Sequence, residues 1–295
     1  MTNANVPSAE GLSRTDKAAF LPRTLLKSVG LRRSPQPFIQ LWPSFGFAEL
    51  GIWRSGEDRA SSVIIHDPVP LRRQVGYGAV GRYIGRLSLY GRAPAIVSHS
   101  RDASDAIREL LPGGRIFDVA HPVRTTQVRH AEGTSPKVVV AGQFKPVRDL
   151  EMLRWLGPRL RRRGYIPQII GRGWPADLEG WDIDSRFVSE AELDQVLGSA
   201  AAVVIPYKRY FQSGIMLRAL EQGTLSISPN TSFARQVLGA SSGCVLEDSE
   251  DGSAWLDAID SVVGQPEQVA DVFDRYKDLC DDSWRSLIAD LPRPE

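Results

Sequence analysis

The sequence predicts an α/β protein of two Rossmann-like, doubly wound domains, and three observations predict it. Strand-like and helix-like segments alternate from about residue 36 onward. In the second half the strands are continuous apolar runs, KVVVA at 137–141 and AAVVI at 201–205. Such runs fit strands buried on both faces of a parallel sheet. Between the halves lies a polar stretch, RTTQVRHAEGTSPK at 124–137, where a domain boundary belongs.

The elements follow in order. Residues 1–35, rich in Ser, Thr, Asn, Arg and Pro, read as a loosely ordered leader. Within it Phe20, Leu21, Leu25, Leu26 and Val29 share a side near Arg23, Lys27, Arg32 and Arg33. That pattern suits a short helix on an anionic membrane surface, but a frayed tail that packs a little is the better reading, since Pro22 interrupts it. A first domain over 36–135 has strands at FIQLW, SSVIIHD, AIVSHS and RIFDVA, with helices at 73–90 and 102–111. The second, over 136–265, reads KVVVAG, helix 147–163, IPQIIG, RFVS, helix 190–199, AAVVIP, helix 213–222, TLSIS and a helix from 232. Ser189 with Glu192 forms a capping box, Pro158 should kink its helix, and Arg161–Arg163 read as a solvated helix end. Residues 266–295 are a terminal helix containing Trp284.

Composition narrows the function. A net charge of +1 gives no global reason to expect nucleic acid. Cys244 and Cys280 form neither a disulfide framework nor a metal spacing, which favours a reducing compartment. No apolar run approaches the about 20 residues that span a bilayer, and the N-terminus has no signal-peptide pattern. A cytoplasmic location follows. His66, His99, His121 and His130 show no metal-site spacing, and no cofactor is expected.

GYGAVG (Gly76, Gly78, Gly81) matches the dinucleotide fingerprint, but no strand feeds directly into it. It reads instead as a Gly-rich loop and a helix packed through Gly81 and Gly85. The stronger signal is IPYKRYFQSGIMLRALEQG at 205–223. Ligands of open α/β sheets sit beyond the carboxyl ends of the strands, which places Tyr207, Lys208, Arg209 and Ser213 in that crevice. Unpaired N–H groups at a helix start near Ser213 and Gly214 favour an anion, and glycine allows close approach. VVVAGQFKPVRD repeats the construction with Gly142, Lys145 and Arg148. Two such arrangements at one sheet edge would clamp a diphosphate and stabilise its departure without a metal.

The order of these features resembles the GT-B glycosyltransferases, in particular the bacterial group that uses nucleotide-diphosphate sugars. The resemblance spans about residues 60–265 and is best over 137–230, through VVVAGQFKPVRD, IPQIIGRG, RFVSEAELDQVLGSAAAVVIPY, SGIMLRALEQG and NTSFARQVLG. It implies that Arg148, beside Gly142, binds the diphosphate. Ser213 and Gly214 would offer amides to the distal phosphate, and main-chain groups at Val188 would meet the base. His66 and Asp67 would be the acceptor-side groups, although a strand-end histidine satisfied by backbone is as good a reading of His66.

Two departures accompany the resemblance. Retaining members carry a spaced glutamate pair, and alignment puts Tyr210 and Arg218 at its positions, so Arg218 would bind an acidic sugar, a phosphate or nothing. The amino-terminal domain is also short, without the family's first strand and glycine loop. The implied activity is sugar transfer to a hydroxyl acceptor, a glycolipid or polysaccharide precursor, with peripheral membrane contact. A non-catalytic GT-B-like partner protein and a nucleotide-sugar epimerase remain alternatives.

Overall fold

A computed structural model of the chain describes residues 37–54, 61–70, 73–91, 93–128, 135–240, 242–263 and 265–291. The leader, its amphipathic stretch and His130 lie outside these. The chain divides into two compact units, one running up to Val119 and resuming at Ser283, the other Ala120–Asp282.

The first unit has a four-stranded sheet, β1 (Phe38–Gln40), β2 (Ser61–Ile64), β3 (Ala95–Ser98) and β4 (Ile116–Asp118), in that spatial order. All neighbours are parallel. Its helices are α1 (Glu49–Ile52), entered from a 3₁₀ turn at Gly46–Ala48, α2 (Ala79–Leu89) and α3 (Arg101–Leu110). Alternate side chains point to opposite faces of a strand. Val63, Ile65 and Ile96 accordingly join Phe47, Leu50, Trp53, Ile107 and Leu111. Ile64, Ala95 and Val97 join Val119, Leu287 and Leu291 on the other face. The helix that ends at Asp290 thus supplies the cover for that second face.

Two of the three glycines of GYGAVG, Gly76 and Gly81, are spent on packing, while a Cβ on the exposed Gly78 would meet nothing within 4 Å. A Cβ on Gly76 would lie 1.6 Å from the Phe45 carbonyl oxygen, and one on Gly81 1.9 Å from that of Gly76. β2 ends at Ile64, far upstream, so no strand delivers a nucleotide to this loop. The helix begins at Ala79, later than the predicted 73.

The second unit runs β5 (Lys137–Ala141), α4 (Leu150–Arg162), β6 (Ile166–Ile170), β7 (Asp182–Asp184), α5 (Glu190–Gly198), β8 (Ala202–Val204), α6 (Gly214–Glu221), β9 (Ser226–Pro229), α7 (Ser232–Leu238), β10 (Val245–Leu246) and α8 (Gly252–Val262). The last helix, α9 (Pro266–Asp290), begins in this unit and ends in the first. The sheet order is β10-β9-β8-β5-β6-β7, parallel throughout. Val138, Val139 and Val140 of its central strand are fully buried.

Two sequence expectations need correction here. RFVS is not a strand; the edge strand is Asp182–Asp184, and Ser189 of RFVS caps α5. The helix at Gly252–Val262 and the short strand before it were not anticipated. The capping box at α5 closes in both directions, since Ser189 Oγ accepts from the Glu192 amide and Glu192 accepts from the Ser189 amide. The arginines ending α4 are half-exposed and ion-paired, Arg161 to Asp182 at 2.6 Å and Arg163 to Asp260. Among the described residues no helix is long and apolar enough to cross a membrane.

Candidate functional site

The strand order of the second sheet turns back beside β5. The chain leaves β5 for β6 and β7 on one side, then crosses to place β8 on the other. Ligands of open α/β sheets bind outside the carboxyl ends of the strands at such a reversal. The loops after β5 and β8 are therefore where a site belongs, and they carry the two cationic stretches.

These loops are stitched together. Asp149 N–H donates to the Pro206 carbonyl at 2.7 Å, and Lys208 N–H to that of Val147 at 2.9 Å. Arg148 and Tyr207 face each other as an isolated antiparallel bridge. Asp149 also caps α4, its carboxylate accepting from Met152 N–H, and lies 3.8 Å from Lys208 Nζ. Position and direction of both loops are thus fixed by backbone rather than by flexible side chains.

Arg148 is the central finding. Its side chain is buried, 4% exposed, with Nη2 donating to the carbonyls of Ala141 at 2.9 Å and Gln143 at 3.3 Å. The guanidinium lies between the rings of Tyr207 and Trp174, at 4.4 and 4.8 Å from their centroids. Trp174 Nε1 in turn donates to the Gly142 carbonyl at 2.9 Å. Nε of Arg148 has no hydrogen-bond partner, and no carboxylate among the described residues pairs with the group. Burial lowers its pKa from the usual guanidinium value, and Tyr207 acts in the opposite sense. A buried cation without a counter-ion is costly unless an anion is to arrive.

Gly142 joins the two loops at this point. Its φ is +97°, and a Cβ there would lie 3.2 Å from Arg148 Nη2 and 3.7 Å from Ile215 Cγ1 in the first turn of α6. Arg148 and the start of α6 therefore converge on one spot. Ser213 caps α6, Oγ accepting from Met216 N–H at 3.3 Å. A Cβ on Gly214 meets nothing within 4 Å, so the positive end of the helix opens onto free space.

The remaining predicted donor residues divide. Lys145 is exposed on the β5 loop. Arg209 is exposed on the β8 loop, its guanidinium 5.8 Å from the Phe211 ring. Val188 packs against the core beside the α5 cap. Arg218 is turned elsewhere: it pairs with Asp194 and Glu190 and donates to the Glu190 carbonyl at 2.5 Å. It ties α6 to α5, a role the alignment with the glutamate pair did not suggest. Tyr210, at the other position of that pair, is buried with its hydroxyl 2.5 Å from Ser228 Oγ. Glu221 is buried and bound by Arg124 at 2.8 Å. The sequence reading missed Trp174 as a member of the site; its only signal was an aromatic residue in the Gly-rich loop after β6.

In the first unit, His66 and Asp67 follow the carboxyl end of β2. The His66 ring stacks on Trp42 with centroids 4.1 Å apart, and Nε2 lies 2.8 Å from the Leu41 carbonyl. A carbonyl only accepts, so Nε2 carries hydrogen and Nδ1 is the basic nitrogen of the neutral ring. Asp67 Oδ1 accepts from Val69 N–H at 3.2 Å, bending the loop. His99 is buried, with Nδ1 at 2.8 Å from the Val119 carbonyl.

Comparison with solved structures gives likeness over most of the chain. TarM is 11% identical, with 92% of this chain matched to 58% of that one at a TM-score of 0.66. The trehalose-6-phosphate synthase OtsA is 8% identical, covering 95% and 78% at 0.61. A UDP-forming α,α-trehalose-phosphate synthase from Burkholderia vietnamiensis is 10% identical, covering 94% and 78% at 0.57. The fold is GT-B. The chain spans just under three fifths of TarM, 58% of its length. No protein-family model and no curated protein sequence matches it.

Proposed function

We propose that this GT-B chain is a glycosyltransferase that moves a sugar from a nucleotide-diphosphate donor to a hydroxyl acceptor, a glycolipid or polysaccharide precursor. The observation that carries the proposal is Arg148, a buried guanidinium with no counter-ion among the described residues, where the β5 loop and the start of α6 converge. A diphosphate supplies the missing charge. In transfer, the acceptor hydroxyl oxygen bonds to the anomeric carbon and gives its proton to an acceptor-side base or solvent. The bond from the anomeric carbon to the distal phosphate oxygen breaks, and its electron pair stays on the diphosphate. Arg148 and the α6 amides at Ser213 and Gly214 would stabilise that charge, with Lys145, Lys208 and Arg209 at the rim and Tyr207 holding Arg148 flat. No metal is required in this scheme. Gly142 admits the phosphate because it bears no side chain, and Val188 stands for the base-binding loop. On the first unit, His66 and Asp67 are the acceptor-side candidates.

Two structures like this chain hold ligands of the expected kinds. A variant of S. aureus TarM was solved with fondaparinux, α-GlcNAc-glycerol and UDP, and a trehalose-phosphate synthase from Burkholderia xenovorans with glucose-6-phosphate. We place the protein in the cytoplasm.

A second reading, a non-catalytic partner that binds nucleotide sugar, is favoured by one observation. Tyr210 and Arg218 stand where the glutamate pair would be, and both are engaged within the fold. A thermal-shift screen with UDP, GDP and their sugars, with EDTA present, tests donor binding, because a ligand bound only by the native state raises the unfolding temperature. Stabilisation followed by transfer to added acceptors supports the enzyme; stabilisation without transfer or hydrolysis supports the partner. A changed sugar without acceptor indicates an epimerase, and no stabilisation by any nucleotide overturns the proposal.

A further inference from the structure

α2 is packed inside out. Its buried positions are Gly81, Gly85 and Ser88, while Val80, Tyr83, Ile84 and Leu87 on the same helix are exposed. Val80 is 74% exposed, Tyr83 64% and Leu87 49%, and Tyr90 at the end of the helix is 83% exposed. The glycines explain the orientation. Cβ atoms on Gly85 would lie 3.1 Å from Leu111 Cδ2 and from Phe47 Cβ, so only the small face fits against the sheet's cover. The helix then presents Val80, Tyr83, Ile84 and Leu87 at i, i+3, i+4 and i+7, one apolar stripe with no partner among the described residues. An exposed stripe of this kind marks an interaction surface.

Charge selects the occupant. Residues 68–101 contain no Asp or Glu, yet include Arg72, Arg73, Arg82, Arg86, Arg92 and Arg101. Arg73 and Arg86 are exposed and Arg82 is half-exposed beside the stripe. An apolar ridge on a segment whose charged residues are all arginines, with tyrosines whose rings sit well at a headgroup boundary, matches an anionic bilayer surface. We propose that α2 docks the protein on anionic lipid, with Val80, Tyr83, Ile84 and Leu87 entering the acyl boundary and Arg73, Arg82 and Arg86 meeting headgroup phosphates. The inference stands on exposure and charge in the first unit alone and holds whether or not the second unit transfers a sugar.

The test is sedimentation of the full chain with vesicles of phosphatidylcholine alone and of phosphatidylcholine mixed with phosphatidylglycerol. Binding to the mixed vesicles, weakened by salt, is expected. The Y83S/L87S variant replaces exposed side chains and should keep its unfolding temperature and its nucleotide response. It should bind the mixed vesicles at least about tenfold more weakly. Failure of the parent chain to bind, or undiminished binding by Y83S/L87S, overturns the proposal. So does loss of binding in L25S/L26S but not in Y83S/L87S, which would move the contact to the leader. A dimer of the parent chain that Y83S/L87S dissolves would show that a second copy covers the stripe, and would also overturn it.

Discussion

Replacing Arg148 by methionine separates a binding residue from a structural one. In favour of the native arginine are two hydrogen bonds from Nη2, to the Ala141 and Gln143 carbonyls, and two ring contacts at 4.4 and 4.8 Å. Each is worth about 0.5–3 kcal/mol. Against it stand the several kcal/mol needed to take a cation out of water and about 1–3 kcal/mol for the orphaned Nε. The two sides are of similar size, and methionine fills the slot between Tyr207 and Trp174 without the charge. Arg148→Met should therefore shift stability by less than about 2 kcal/mol in either direction. Binding behaves otherwise. A charge-assisted contact to phosphate is worth about 1.5–3 kcal/mol, and more where water is excluded, so affinity for UDP or GDP should fall by about 10- to 150-fold or more. Denaturant unfolding and isothermal titration calorimetry of the same preparations read both numbers. A loss of more than about 3 kcal/mol in stability with nucleotide affinity retained would make Arg148 a structural residue and refute the reasoning.

Three further outcomes follow. Gly142→Ala forces a side chain onto a backbone with φ of +97° and within 3.2 Å of Arg148 Nη2; it should cost about 1–2 kcal/mol in thermal unfolding and weaken nucleotide binding together. Arg124→Ala leaves Glu221, 2% exposed, without its 2.8 Å ion pair, and should destabilise by about 1–3 kcal/mol in denaturant unfolding. Burial pushes the thiols of Cys244 and Cys280 up to about 11. Neither should react with iodoacetamide at neutral pH before unfolding, and because a raised thiol pKa stabilises the protonated native state, stability should decline as pH rises from about 9 toward 11.

How much of this was legible in the sequence depends on the kind of interaction. Buried strands announced themselves, because Val138–Val140 and Val203–Ile205 must be apolar wherever both faces are covered. Asp182–Asp184 did not, since an edge strand needs no apolar face and its aspartates pair with Arg161 and Arg186. α8 does carry a helical period in Trp255, Leu256, Ile259 and Val262, which the reading passed over. The site's cations could be located on their loops from sequence, but not what each one touches. Arg148 and Arg218 look alike as letters. The fold gives one of them two aromatic rings and, among the described residues, no acid, and gives the other Glu190 and Asp194 from a neighbouring helix. Strand order decides such outcomes, and strand order is set by long-range pairing that a local pattern does not encode. The Gly81/Gly85 face of α2 was legible because only glycine allows so close an approach.

The most direct test is a crystal structure of the protein with UDP or GDP. The account predicts phosphate oxygens at about 2.7–3.0 Å from the Arg148 guanidinium and from amides at the start of α6, beside Gly142. A nucleotide seated away from the β5 and β8 loop ends, with Arg148 still lacking an anion, would contradict it.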